Sequence, residues 1–208
     1  MEKVIFLNPS NNSKAKDLVL NEIINMIDTA DGFLSIAIAY FTQTEIANAL
    51  IRRTKNGRRS QLILNTSDLL RPINSDQTEI VISKNLIELL KLGDPLNIKS
   101  LGFRSKTTYS NMHHKFIVSD RKLIFGSLNW TQTALQNNYE VVILSENAYL
   151  IKEFNKEFDI LWESSQRLYF QDSRIRSIIC PICKYADGID FESYGPFCTF
   201  CGHQFKIE

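Results

Sequence analysis

The sequence predicts an α/β protein, in which a mixed β-sheet is covered by helices on both faces and is followed by a small cysteine-rich module. Strand-like and helix-like segments alternate along most of the chain, a pattern typical of sheets with helices on both sides. The length of 208 residues allows one core of ordinary domain size and a small appendage. All four cysteines lie beyond residue 179, which sets the appendage apart.

Apolar periodicity predicts the position of each element. Short apolar runs predict strands at 4–7, 33–39, 61–64, 115–119, 123–125 and 140–144. Apolar residues on one helical face predict helices at 14–28, 42–53, 86–92 and 148–162. Thr42 is the expected cap of the second helix, and Gly57 is its expected end. The polar tripeptide at 120–122 predicts a tight hairpin between two of the strands.

A polar stretch divides the chain into two parts. We predict an α/β domain at 1–165, a linker at 166–176 and a cysteine module at 177–208. The region around the linker is polar and carries Arg167, Arg174 and Arg176. The sequence therefore predicts one catalytic or binding domain with a separate small module.

Composition narrows the classes of protein that fit. With 24 basic and 23 acidic residues, the net charge of +1 excludes a uniformly basic coat for nucleic acids, although it allows a local basic patch. No apolar run is long enough for a transmembrane helix, so we expect no membrane anchor. The amino-terminal segment lacks the apolar core of a secretion signal, so we expect a cytoplasmic protein.

The start of the fourth predicted strand carries a histidine and a lysine in a suggestive arrangement. Side chains alternate along an extended segment, so His113 and Lys115 are expected on one face and His114 on the other. An imidazole beside a fixed positive charge suits attack on a phosphodiester. His113 is therefore the candidate nucleophile or base.

A second group of polar residues follows the fifth predicted strand. Ser127 and Asn129 offer hydrogen bonds to phosphate oxygens, and the Gly126 turn allows the backbone to approach closely. Together with the histidine and the lysine, these residues are the ones expected to hold and attack a phosphodiester. They occur in one copy in the chain.

These residues resemble the signature of the phospholipase D superfamily, which is His-x-Lys, four residues, Asp, and then Gly-Ser-x-Asn. The matching positions are His113, Lys115, Asp120, Gly126, Ser127 and Asn129. Five residues separate Asp120 from Gly126, where many members have six. The segments 112–116 and 126–131, with 136–138 and Glu140, are similar to the single-motif branch of Zucchini or mitochondrial phospholipase D proteins and bacterial Nuc-type endonucleases.

The resemblance implies a phosphodiesterase that needs no catalytic metal and forms a homodimer, in which two motifs face each other. One histidine would attack phosphorus to give a phosphohistidine, and the other would protonate the leaving oxygen. Lys115 and Asn129 would hold the phosphate oxygens with help from Ser127. An acidic residue would orient the imidazole, and either Glu140 or Asp120 fits that role; we favour Glu140, because Asp120 lies in the predicted hairpin.

The cysteine module is predicted to bind zinc. Its two Cys-x-x-Cys pairs, separated by fourteen residues, are Cys180 with Cys183 and Cys198 with Cys201. Four thiolates at this spacing form a closed tetrahedral Zn²⁺ site, so the metal is expected to be structural. The module contains too few apolar residues for a core of its own, so metal binding would supply most of its folding free energy.

Positive charge gives two candidate regions for substrate contact. The run 52–59 holds five cations in eight residues, and either a solvated surface or a track for a phosphate backbone fits it. Arg104 and Lys106 lie shortly before His113 and are predicted to flank the groove. The leading hypothesis is a nuclease for single-stranded DNA or RNA. A phospholipase or cardiolipin hydrolase and a non-catalytic phosphate-binding module are the alternatives.

Overall fold

A central β-sheet organises the chain in the computed structural model, which describes residues 2–10, 13–65, 70–72, 78–80, 84–93, 95–104, 109–168, 189–192 and 195–198. The strands are β1 (Glu2–Leu7), β2 (Leu34–Ile38), β3 (Ser60–Asn65), β4 (Leu70–Pro72), β5 (Thr78–Ile80), β6 (Leu96–Arg104), β7 (Tyr109–Asn111), β8 (Lys115–Val118), β9 (Leu123–Gly126), β10 (Glu140–Ser145), β11 (Gln166–Arg167), β12 (Ile189–Glu192) and β13 (Gly195–Cys198). The helices are α1 (Ser13–Thr29), α2 (Thr44–Lys55), α3 (Lys84–Leu92), α4 (Gln132–Asn137) and α5 (Ala148–Glu163). The predicted alternation of strands and helices is confirmed in this part of the chain.

The sheet is mixed, as predicted. Its strands follow the order β1, β10, β9, β8, β2, β3, β6 and β11, and β7 pairs with β6. β2, β3 and β6 are parallel neighbours, whereas β8, β9, β10 and β1 join in antiparallel pairs. One end of the sheet therefore collects the last residues of β1, β2, β3 and β9 with the first residues of β8 and β10. We call it the site end and the opposite end the far end.

Helices cover both faces of the sheet. The first four helices contribute buried residues to one apolar layer, and helix α5 forms the other layer with Ile151 and Phe158. On the α5 side, Phe116 packs edge-on against Phe154, with ring centroids 5.1 Å apart. All five residues of β2 are buried, because a central strand between two helical layers has no solvent-facing side. The prediction of a sheet covered on both faces is confirmed.

Helix α2 begins later than the sequence predicted. Its amino-terminal cap is Gln43, not Thr42. The backbone N–H groups of both residues donate to the carbonyl oxygen of Trp130, at 2.8 and 3.0 Å. This tertiary contact holds the chain in place before the helix starts, so the local capping preference of Thr42 does not decide the boundary. Gly57 follows the end of the helix with φ of 72°, as expected for a terminating glycine.

The sheet extends into the segment that was predicted to be a linker. Residues Gln166–Arg167 form β11, which pairs antiparallel with Lys99 and Ser100 of β6. Lys99 also donates to the carbonyl oxygen of Trp162 at 2.8 Å, which ties the end of α5 to the sheet. The remainder of the predicted linker, beyond Leu168, lies outside the described residues.

The basic run 52–59 lies at the far end of the sheet, where Arg53 contacts Ser60 at the start of β3. Arg53 is only 1% exposed. Its guanidinium donates five hydrogen bonds of 2.6 to 3.1 Å, to the carbonyl oxygens of Ile27, Ala30, Gly32 and Arg59 and to the hydroxyl of Ser60. Burial and the nearby charge of Arg58 lower the pKa of Arg53. Arg53 therefore fastens the loops before β2 and β3 to helix α2.

Replacing Arg53 is expected to destabilise the fold. Arg53→Met would leave several buried acceptors without a donor, so the free energy of unfolding should fall by at least about 3 kcal/mol. Arg52 provides the matched control, because it is half exposed and forms a surface ion pair with Asp28 at 2.7 Å. Arg52→Met should cost less than about 1 kcal/mol. Chemical denaturation of both variants measures the two losses in the free energy of unfolding. Equal losses would contradict the conclusion that Arg53 holds the loops before β2 and β3 to helix α2.

Candidate functional site

Three strand ends bring the predicted site residues to the site end of the sheet. Lys115 begins β8 opposite Ile38, the last residue of β2. Gly126 ends β9, and Glu140 begins β10 opposite Leu7. Because β8, β9 and β10 are neighbours in the sheet, the segments that precede and follow them also lie together at this end.

The loop after β9 passes the beginning of β8. The backbone N–H of Trp130 donates to the carbonyl oxygen of Tyr40, which follows β2, at 3.0 Å. The Trp130 ring packs edge-on against Phe41, with centroids 5.5 Å apart. Since β8 lies between β9 and β2, the loop that carries Ser127 and Asn129 must cross the strand end where Lys115 stands. The structure thus brings together segments that the sequence separates by more than ten residues.

Gly126 allows this loop to leave the sheet. Its φ is 155°, and a Cβ atom at this position would lie 2.0 Å from the carbonyl oxygen of Val141. That distance is shorter than any contact that a side chain tolerates, so β9 and β10 approach this closely because residue 126 has no side chain. The glycine thus serves a close contact between two strands, and its predicted role beside a phosphate stays a prediction.

Glu140 forms a hydrogen-bonded network with Ser127 and Asn138. The buried carboxylate accepts the hydroxyl of Ser127 on Oε2 and the amide Nδ2 of Asn138, at 3.0 Å, on Oε1. The backbone N–H of Val141 donates in turn to Ser127 Oγ at 3.0 Å. The hydroxyl proton of Ser127 is therefore directed at Glu140 and not at the open side of the site.

Asn138 was not among the predicted site residues. It lies two positions before Glu140 in extended backbone, with φ of −99° and ψ of 158°. Side chains two positions apart in an extended segment share a face. This spacing is the feature of the sequence from which the contact between Asn138 and Glu140 could be inferred. The carboxylate of Glu140 is held by Asn138 and Ser127, and within the described residues no hydrogen bond joins it to the His113 imidazole.

His114 and Lys115 lie on opposite faces of the sheet, as predicted. His114 lies on the α5 side, where its Nε2 is 3.3 Å from Glu157 Oε1 and its ring meets Phe116 edge-on at 5.9 Å. The ammonium group of Lys115 donates to the carbonyl oxygen of His113 at 2.7 Å. Both imidazoles are exposed, and His114 is the one that contacts helix α5.

Asn129 has an acceptor without a donor. Its Oδ1 atom is buried and forms no hydrogen bond within the part of the chain that the structure describes. A buried oxygen in this state carries a desolvation cost until a donor reaches it. The amide of Asn129 is therefore prepared to receive a donor group that these residues do not supply.

Asp120 is separated from the site. It lies at the tip of the β8–β9 hairpin, where its carboxylate is the nearest group to the position that a Cβ atom on Gly32 would take. This is the far end of the sheet, so the length of β8, about 10 Å, stands between Asp120 and Lys115. The inclusion of Asp120 in the catalytic set is therefore corrected for a single chain. The turn itself is held by Ser119, whose hydroxyl accepts from the N–H groups of residues 121 and 122.

The remaining predicted site residues lie wholly or partly outside the described part of the chain. Arg104 ends β6, but its side chain lies outside the described part of the chain, as does all of Lys106. Cys198 ends β13, and the other three cysteines lie outside the described residues. Strands β12 and β13 pair in an antiparallel arrangement, in which Cys198 lies opposite Ile189.

Two further findings on the described residues concern metal ligands and membrane-spanning helices. They contain no group of three or more histidine, cysteine, aspartate or glutamate side chains arranged to hold a metal ion. Among the same residues, none of the helices combines the length and apolar character that a membrane span requires.

The chain is similar to proteins of one family. The family model described as cardiolipin synthase, PLD-like domain, matches residues 23–162, which is more than half of the chain. The mitochondrial cardiolipin hydrolase of Danio rerio is 57% identical over 56 residues, which cover 26% of this chain and 25% of that protein. The match thus spans about a quarter of the length of this relative.

Two solved structures share the fold. NucT from Helicobacter pylori superposes with a TM-score of 0.64 and 24% identity, covering 79% of this chain and 97% of the other. Nuc from Salmonella typhimurium, a phospholipase D family member, superposes with a TM-score of 0.59 and 16% identity, covering 82% of this chain and 99% of the other. At these identities the likeness establishes the arrangement of strands and helices.

Gly126→Ala is expected to disrupt the site end of the sheet. The added Cβ would collide with the Val141 carbonyl, so the free energy of unfolding should fall by more than about 3 kcal/mol. Gly57→Ala is the control: Gly57 also has a positive φ, of 72°, but no atom lies within 4 Å of its Cβ position, so only about 1 kcal/mol of backbone strain is expected. Thermal or chemical unfolding compares the two variants. Similar losses would show that the β9–β10 contact is not tight.

Proposed function

Because the chain belongs to the family of phospholipase D-like domains, we propose that it is a phosphodiesterase that cleaves single-stranded nucleic acid through a phosphohistidine in a site shared by two subunits. The observation that carries the proposal is the convergence at the site end of the sheet. There the exposed His113, the Lys115 ammonium group and the loop with Asn129 lie beside the buried Glu140 network. This set combines a nucleophile, a fixed positive charge and amide groups for phosphate oxygens.

The proposed reaction has two steps. A nitrogen of the His113 imidazole attacks phosphorus, the P–N bond forms, and the P–O bond to the leaving group breaks as the imidazolium of the partner subunit donates a proton to that oxygen. Water then attacks phosphorus, gives its proton to the same partner imidazole, and breaks the P–N bond. The covalent intermediate replaces one difficult displacement by two easier ones, and the two imidazoles exchange the roles of acid and base.

The other residues serve this reaction by position and charge. Lys115 and Asn129 are proposed to hold the non-bridging oxygens, where their donors offset the charge that develops on phosphorus. Glu140 is proposed to act with Ser127 and Asn138, which hold its two carboxylate oxygens in place. Ser127 then serves chiefly as a positioning residue for Glu140, because its hydroxyl proton is already directed there.

A homodimer is part of this proposal. The chain carries one His-x-Lys motif, and the proposed reaction uses two imidazoles, one as the nucleophile and one as the acid. A two-fold axis near the site end would supply the second histidine by symmetry. The unpartnered Oδ1 of Asn129 supports the idea that the site receives further groups from a substrate or a second chain.

The choice of nucleic acid rests on the catalytic segment and on charge. Residues 112–140 resemble the branch that contains mitochondrial phospholipase D proteins and Nuc-type endonucleases, and the fold matches NucT and Nuc. Arg104 ends β6 near the site end, and Lys106 follows it. Cationic side chains beside a phosphodiester site would bind the backbone of a single strand without reading its sequence.

A phospholipid is the second candidate substrate, and two observations favour it. The relative from Danio rerio is named as a cardiolipin hydrolase. In addition, Phe6 and Tyr139 are 71% and 77% exposed and lie next to Glu140 at the site end. Exposed aromatic side chains beside a phosphodiester site are suited to a membrane surface.

A substrate panel separates the two candidates. Labelled single-stranded DNA, single-stranded RNA and vesicles that contain cardiolipin are incubated with the protein in excess chelator. Cleavage of the polynucleotides without release of phosphatidic acid supports the proposal, whereas hydrolysis of the vesicles alone would establish the phospholipid reading. Loss of all cleavage on chelation, while the protein stays folded, would rule out chemistry without a catalytic metal.

Separate alanine substitutions of the two adjacent histidines test which imidazole is the nucleophile. His113→Ala should lower kcat by at least about a thousand-fold, because the covalent step is lost. His114→Ala is the matched control and should retain most activity, since His114 contacts Glu157 on the opposite face. The reverse pattern would mean that the wrong imidazole has been chosen. Light scattering combined with a cleavage assay tests whether two subunits share the site. A fully active monomer would exclude a shared site.

The cysteine module is proposed to hold one structural Zn²⁺, and the pairing of β12 with β13, which ends at Cys198, supports this. Cys180→Ser or Cys201→Ser should reduce bound zinc from one equivalent to well below it, because each thiolate is one of four ligands. His203→Ala, which removes a nearby residue outside the proposed ligand set, should leave zinc unchanged. Elemental analysis of the purified variants measures the metal content. Full zinc in the cysteine variants would disprove the site.

A further inference from the structure

The residues around His113 are each held by a contact with another element. Met112 is 3% exposed, and its backbone N–H donates to the side-chain Oδ1 of Asn65 at 3.2 Å. On the other side, His114 is fixed between Phe116 and Glu157. His113 therefore stands between two anchored neighbours, and the position of its imidazole depends on those anchors.

Met112 needs a partner from outside the sheet ladder. β7 ends at Asn111 and β8 begins at Lys115, so residues 112–114 belong to neither strand. A buried backbone N–H in such a segment must find another acceptor. The carboxamide of Asn65, forty-seven positions away in the sequence, provides that acceptor.

Asn65 is placed where three strands meet. It is the last residue of β3, is 1% exposed and lies opposite Leu101 of β6. Its Oδ1 would be 3.0 Å from a Cβ atom on Gly102, whose φ is 122°. Gly102 in turn pairs with Asn111 of β7. The absence of a side chain at Gly102 leaves the space in which the Asn65 carboxamide reaches Met112.

We propose that Asn65 is a positioning residue of the catalytic site: its carboxamide fixes the backbone at Met112 and thereby sets where the His113 imidazole stands at the site end. The inference rests on the proposed role of His113. Asn65 acts through the backbone, and a displacement of about 1 Å in a nucleophile is enough to lower a rate by about a hundred-fold. Lys115 is held in β8 by its pairing with Ile38, although its ammonium group also donates to the His113 carbonyl, so we expect a smaller effect on substrate binding than on kcat.

The first experiment compares Asn65→Leu with Asn65→Asp. Leucine has a similar volume and no acceptor, whereas aspartate keeps an oxygen at the same distance from the Met112 N–H. Asn65→Leu should lower kcat by about ten- to a hundred-fold and change KM by a smaller factor, and Asn65→Asp should recover most of the loss. Asn155→Leu is the matched control, because it removes a hydrogen bond to Ile151 within helix α5. Values of kcat within two-fold of the parent for Asn65→Leu would overturn the proposal.

The second experiment does not depend on turnover. The chain has three histidines, His113, His114 and His203, so histidine-selective isotope labelling gives a resolved set of imidazole resonances by NMR. Asn65→Leu should shift or broaden the His113 signals and leave His203 unchanged, whereas Asn155→Leu should leave His113 unchanged. Unmoved His113 signals would refute the positioning role even if no substrate is cleaved. If the leucine variant does not fold, Asn65→Ala provides the same comparison with a smaller side chain.

Discussion

The antiparallel pairing of β8 with β2 is the constraint on which the rest of the site depends. It sets Lys115 opposite Ile38 and places Phe116 and Ile117 on opposite faces of the sheet. A slip of one residue would exchange the two faces and drive Lys115 towards the α5 layer. Both helical layers are apolar and closely packed. The register is therefore fixed, because a shift of one residue would move the apolar side chains of β8 out of the layers that they fill.

Buried polar groups fasten both ends of the sheet. At the far end the Arg53 guanidinium joins the end of α1 to the loops before β2 and β3 through backbone carbonyls. At the site end the Glu140 carboxylate joins β9 to β10 through Ser127, and the Asn65 carboxamide joins β3 to the segment before His113. Groups of this kind hold one geometry because an unsatisfied buried donor or acceptor is costly. The apolar layers stabilise the sheet, and the polar contacts decide how its ends are arranged.

The proposed dimer would complete the site of a single chain. The site end offers the exposed imidazole of His113, an acceptor on Asn129 that no donor reaches within the described residues, and the exposed aromatic side chains of Phe6 and Tyr139. The same phosphodiester chemistry serves a polynucleotide and a lipid. The choice between these substrates therefore depends on the residues that surround His113.

The sequence by itself determined the alternation of strands and helices and the assignment of His114 to the opposite face from Lys115. These features follow from local periodicity and backbone sterics, which a linear pattern records. Only the tertiary structure decided that Asp120 lies at the far end and that Arg53 is a buried clamp, although both are charged residues in promising segments. It also revealed Asn65, because a hydrogen bond that spans forty-seven positions depends on strand order and register, and these arise when the whole core packs.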